Sequence, residues 1–156
     1  MRFLTWDWWK GSLEDEEFEA RLVEFRAHLD GIQTRLPKDL SVLFDKFSLH
    51  DGSLTDFDYN PAERSLVILV DGWNSFNGDY RVFYKLSFRG VEQATFSSSV
   101  ELAELKTIGY YEADISPEGS ITLDILFWKG IELHITFEGL ALEARLESFA
   151  GPKADF

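Results

Sequence analysis

Two groupings in this chain have the residue types and spacing that chemistry needs. The first is Glu112, Asp124, His134 and Glu143, one from each of four consecutive alternating segments. Carboxylates beside an imidazole are the raw material of acid–base catalysis, and together they can ligate a divalent ion. The second is Leu49-His50-Asp51-Gly52, where His50 and Asp51 adjoin at a junction between a helical and a stranded region. The same pair also suits a turn, with Asp and Gly as turn formers and His50 capping a backbone group.

Whether the first four residues meet depends on strand register. Ile121, Leu123, Ile125 and Phe127 alternate along one strand, and Ile131, Leu133, Ile135 and Phe137 along the next. A three-residue Trp128-Lys129-Gly130 loop with a left-handed glycine puts both apolar sets on one side, pairing Phe127 with Ile131 and Asp124 with His134. A Pro117-Glu118-Gly119 loop pairs Ser116 with Ser120 and sets Glu112 opposite Asp124. A two-residue Glu138-Gly139 hairpin would then bring Glu143 opposite His134. The expected result is a polar row across four strands. Glu112 facing Asp124 is a like-charge opposition that needs compensation from a cation or a proton. Tyr110, Leu126 and Trp128 accompany the row, so the face mixes apolar and charged groups and suits a groove or an interface. The alternative is a solvated face whose His and acids simply pair.

The elements that must position these residues follow from periodicity. Glu14 to Glu17 place negative charge at the positive end of a helix dipole, and Ser12 with Asp15 resembles a capping box. Phe18, Leu22, Phe25, Leu29, Ile32 and Leu36 recur at spacings of four and three, a stripe that should cover a sheet. Pro37 ends that helix, and Leu40, Leu43, Phe44 and Phe47 indicate a short second one. From Leu49 the period changes to two, with strands expected at 53–59, 65–71, 80–89, 91–96, 109–116, 120–127, 131–137 and 140–147. Short connections make neighbours antiparallel. The expected fold is α+β: an N-terminal helix and a short second helix on one large, mostly antiparallel meandering sheet. The 156 residues read as a single domain, helical over 1–48, a sheet over 49–147 and a tail over 148–156.

Composition narrows the function classes. Net charge is −13, from 28 acidic against 15 basic residues, and no Lys/Arg cluster offers a phosphate patch. Such a field repels nucleic acid and anionic lipid and attracts basic protein partners. There is no Cys, hence no disulfide, thiolate nucleophile or thiolate metal site. His28, His50 and His134 are scattered, so neither a tightly bound transition metal nor a cofactor is expected. The loop from Asp71 to Asp79 lacks EF-hand spacing, and its Trp73 suits a contact surface better than a metal site. Nucleophile-elbow, Walker, Rossmann and His-Glu-x-x-His patterns are missing, which argues against an enzyme. With neither an apolar leader nor a membrane span, the chain reads as cytoplasmic.

The opening Met1-Arg2-Phe3-Leu4-Thr5-Trp6, the acidic helix, Arg35-Leu36-Pro37 and Leu49-His50-Asp51-Gly52 look like a group of small uncharacterised bacterial proteins. In its expected architecture the chain also resembles some immunity proteins of bacterial toxin systems. The resemblance implies a bacterial cytoplasmic protein and carries over no catalytic residue. Two functions follow. One is a non-enzymatic acidic interaction module, of the kind that covers a basic toxin. The other is a binding protein or hydrolase working through the carboxylate–His row.

Overall fold

A computed structural model describes residues 1–74 and 80–147. Helix α1 (Trp6–Trp9) opens the chain, followed by α2 (Asp15–Ile32), a 3-10 turn at Gln33–Arg35 and α3 (Lys38–Lys46). Eight strands complete it: β1 (Ser53–Asn60), β2 (Ser65–Asn74), β3 (Tyr80–Arg89), β4 (Gln93–Phe96), β5 (Ile108–Ile115), β6 (Ile121–Phe127), β7 (Ile131–Phe137) and β8 (Gly139–Glu147). The class is α+β and every strand pair is antiparallel.

The strands form two sheets and not one, ordered β1-β2-β3-β8 and β4-β7-β6-β5. The reason is coverage. An eight-stranded sheet is about 38 Å wide at ~4.8 Å per strand, and its apolar face needs an equally wide cover. An 18-residue helix is only about 27 Å long. Folding the strands into two layers lets Leu66, Ile68, Val82 and Leu86 of one sheet meet Leu123, Ile125, Leu133 and Ile135 of the other in one core. Both crossovers lie at the same corner. Gly90, at φ +63°, turns β3 into β4, while β7 leaves for β8 with the Glu138 amide on the Arg89 carbonyl at 3.1 Å. Phe88 and Phe137 lock that corner edge-to-face at 4.9 Å.

Glu138-Gly139 is therefore not a hairpin turn: β8 pairs with β3, and β4 takes the edge of β7. The two other loops form as the periodicity predicts. Phe127 pairs with Ile131 across a Trp128–Gly130 turn, with Lys129 and Gly130 both at positive φ. Ser116 meets Ser120 across a turn that ends in Gly119 at φ +94°.

Helix α3 covers the side between β8 and β5. Leu40 and Leu43 are fully buried, the Phe44 ring lies 5.0 Å from that of Tyr111, and the Asp39 carboxylate accepts the Leu142 edge amide at 2.9 Å. Helix α2 is laid differently from the expectation. Leu29, Ile32 and Leu36 do reach the main core, but Phe18, Leu22 and Phe25 pack on Phe3, Leu4 and Trp8. The first residues of the chain thus lie between helix and sheet. The capping box does not form either. The helix begins at Asp15 after Glu14, without a side-chain cap, and the Ser12 amide donates to the Asp7 carbonyl.

Candidate functional site

Three members of the polar row stand side by side on the outer face of the second sheet. Glu112 pairs with Asp124, Asp124 with His134, and His134 with Thr95 of β4. The fourth does not join them: Glu143 lies on the other sheet, paired with Lys85 at 3.0 Å. The crossover at Glu138 carries it away.

Glu112 resolves the like-charge problem in a way that periodicity does not indicate. Among the described residues it is the buried charged one, 5% exposed, and its carboxylate accepts backbone amides from Arg2 and Phe3 at 2.8 Å each and from Leu4. Three N–H donors in place of a cation are enough to hold a carboxylate under apolar cover. The next position carries the Asp124–His134 pair at 2.6 Å, and the Met1 amine meets Glu132 at 2.7 Å. Glu112 and Glu132, on neighbouring positions of this face, together clamp residues 1–4. Among the described residues no three His, Asp or Glu side chains converge on a point where a metal ion would sit.

The clamp positions an aromatic surface. Thr5 caps α1, its hydroxyl accepting the Trp8 amide at 3.4 Å. Trp8 turns inward, stacked on Phe18 at 4.3 Å and donating its indole N–H to the Phe18 carbonyl. Trp6 and Trp9, three residues apart, share the opposite face of that turn and meet Trp128 from the β6–β7 loop. The three indoles pack edge-to-face in a closed triangle with centroid distances of 5.4 Å (Trp6–Trp9), 5.3 Å (Trp6–Trp128) and 5.4 Å (Trp9–Trp128).

Two glycines make room for the triangle. A Cβ on Gly109 would come within 2.4 Å of the Trp9 ring, and one on Gly130 within 3.0 Å of Trp6. Trp128 is 53% exposed, Trp6 and Trp9 are half-buried, and Asp7 and Glu14 to Glu17 are exposed close by in sequence. Of the candidate residues, Trp128 belongs to this surface. Alternation and stripe periodicity do not point to Trp6 and Trp9, although a Thr followed by Trp at the first and fourth helical positions is a readable signal.

The Leu49–Gly52 junction is the second gathering point. Asp51 adopts φ +62°, and the Asp51 amide and Gly52 carbonyl bond to the carbonyl and amide of Ile108, tying β1 to β5. His50 Nδ1 lies against the Gly109 carbonyl, which only an N–H can satisfy, so Nδ1 carries the proton. Its Nε2 is 3.6 Å from Asp51, and its ring is 4.8 Å from that of Tyr110. Trp73 sits apart from both places, on the outer face of the first sheet opposite Arg81, whose guanidinium binds Asp71 through two nitrogens. That bond holds the Asp71 carboxyl below its usual range. The rest of the Asp71 to Asp79 loop, 75–79, is outside the described residues.

Three tyrosines surround the junction, and burial pushes each phenol above its usual pKa. Tyr111 is shifted most, despite hydrogen bonds from the Leu49 backbone and the Ser48 hydroxyl. Tyr84 is raised by burial, partly offset by the Ser48 amide, and Tyr110 by burial and then by the Asp51 charge. A phenol raised in the fold stabilises it fully below the unfolded value of about 10, and that stability is lost as pH climbs through the folded values. Alkaline titration is therefore expected to show these tyrosinates appearing together with loss of far-UV dichroism. All tyrosines ionising near pH ~10 with the fold intact would contradict this.

No protein-family model, curated protein or solved structure matches the chain. Among the described residues, no helix is long and apolar enough to cross a membrane.

Proposed function

We propose that the protein is a non-enzymatic, acidic interaction module that binds a basic protein through the Trp6–Trp9–Trp128 surface. The observation that carries this reading is the half-exposed Trp128, held against Trp6 and Trp9 by a scaffold built to fix them. Tryptophan is among the residues most enriched at interface hot spots, and rigid rings lose little entropy on binding. An indole face also accepts Arg or Lys from a partner.

The charge of the chain favours such a partner. Helix α2 exposes Asp15, Glu16, Glu17, Glu19, Glu24 and Asp30, against Arg21 and Arg26 on the same helix. With a net charge of −13, association with a basic surface would be steered and salt-sensitive. An immunity-type inhibitor that covers a basic toxin is the specific form this proposal takes, and the bacterial, cytoplasmic setting belongs to it. The rival use of the row as a binding or hydrolytic centre has less to draw on. Glu112 is engaged by three amides and Glu143 is elsewhere.

Capture on the immobilised protein from host cytosol is the test. A basic protein should bind at low salt, weaken as salt rises, and lose about 30-fold in affinity to Trp128→Ala, the loss expected when a hot-spot residue is truncated. A captured partner indifferent to Trp128→Ala and to salt would overturn the assignment.

A further inference from the structure

The apolar interior is split. Phe3, Leu4 and Trp8, with Phe25 and Tyr110, form a small cluster separate from the main core, which includes Leu29, Phe44, Phe47 and Tyr111 at its margin. Where the two clusters fail to merge, between α2, α3 and β5, there is a cleft of about 330 Å³. That volume falls within the range of small-molecule sites, roughly 300–1,000 Å³. Leu4, Phe25, Leu29, Phe44, Phe47 and Tyr110 supply its apolar walls, and its polar groups are few: Arg26, Ser48 and His50 among them.

We propose that this cleft binds a small apolar monocarboxylic acid, with the carboxylate at Arg26 and the hydrocarbon body between Phe25, Leu29 and Phe47. Three observations converge. Apart from the buried Leu4, the walls are half-buried aromatic and aliphatic side chains that a solvent-filled cleft leaves wet, so an apolar body gains by covering them. Arg26 pairs with no carboxylate among the described residues, although acids outnumber bases 28 to 15 along the chain. A guanidinium at the mouth of an apolar cleft suits a carboxylate, which it can hold through two parallel hydrogen bonds.

The polarity of the cleft also fixes the ligand's direction. At the His50 end, the Asp51 carboxylate lies 3.6 Å from Nε2 and repels an anion. Ser48 is spent internally, its hydroxyl oxygen accepting the His50 amide at 3.1 Å. The anion belongs at Arg26 and the apolar end points inward. The cleft shares Gly109 and Tyr110 with the support of the tryptophan surface, but its proposed ligand touches none of the three indoles, so either proposal can fail alone.

The probes are octanoate, 1-octanol and octylamine, each titrated into the full-length protein at neutral pH and followed by backbone amide NMR. Octanoate is expected to bind saturably, shifting amides of Leu29, Phe47 and 109–111. Octanol should bind at least tenfold more weakly and octylamine more weakly still, since one charge-assisted contact is worth about a factor of ten. Arg26→Gln, a change at an exposed position, should reduce octanoate to the octanol level, and Leu29→Trp, which fills the cleft, should abolish binding of both. Equal binding of octanoate and octanol, indifference to Arg26→Gln, shifts confined to other surfaces, or no saturable binding at all would each overturn the proposal.

Discussion

Replacing Glu112 with Ala is expected to destabilise the protein by about 3 kcal/mol or more, a large fraction of the 5–15 kcal/mol that holds an ordinary domain together. The side chain that disappears accepts three amides, and those of Phe3 and Leu4 are buried with it. Each buried donor left without a partner costs about 1–3 kcal/mol, and residues 1–4 lose the contact that fixes their path. Leu4 and Trp8 lie under α2 because of that path, so Phe18, Leu22 and Phe25 should lose their cover as well. Urea unfolding followed by tryptophan fluorescence will read the loss. Glu112→Gln keeps one carbonyl oxygen but points an NH2 at N–H donors, and should cost about half as much. A loss below ~1 kcal/mol for Glu112→Ala would mean that water or another group satisfies those amides equally well.

That clamp marks the limit of what the sequence discloses. Period-two alternation places all eight strands to within a residue or two at most ends, and two glycine loops are enough to set Glu112 opposite Asp124 and Asp124 opposite His134. Those inferences are local, resting on neighbouring segments and the loop between them. Glu143 is misplaced by the same reasoning because Glu138-Gly139 has the look of a tight turn while acting as a passage between layers. Phe137 and Leu140 are both buried on either side of it, a pattern that a hairpin and a crossover share. What separates the two is the non-local pairing of β8 with β3, which no local period encodes.

The role of Glu112 is hidden for a related reason. An acid in an alternating strand reads as solvent-facing unless something covers it. Its cover is the chain start, 108 to 110 residues away in sequence. Met1 to Leu4 shows no helical or strand period, so nothing there announces a layer between α2 and the sheet. The stripe on α2 is legible as a buried face, but its first half is buried against that layer.

The tryptophan surface gives the second large expected effect, at a residue with no side chain. Gly109 sits at the β5 bulge between Ile108 and Tyr110, and its backbone has no need of left-handed freedom; what it provides is space. A methyl there would lie 2.4 Å from Cε3 and Cζ3 of Trp9, inside any real carbon–carbon contact, and a ring packed against Trp6, Trp128 and Tyr110 has little slack. Gly109→Ala should therefore cost about 1–3 kcal/mol in stability, as overpacking does, and should break the indole triangle. If steric conflict with Trp9 is the cause, the cost must depend on Trp9. In a Trp9→Ala background the same glycine substitution should cost less than ~0.5 kcal/mol, and the double-mutant cycle should return a coupling of at least about 0.5 kcal/mol. Equal costs in both backgrounds would move the explanation to the backbone, to the Gly109 carbonyl that His50 holds, and would leave the triangle intact.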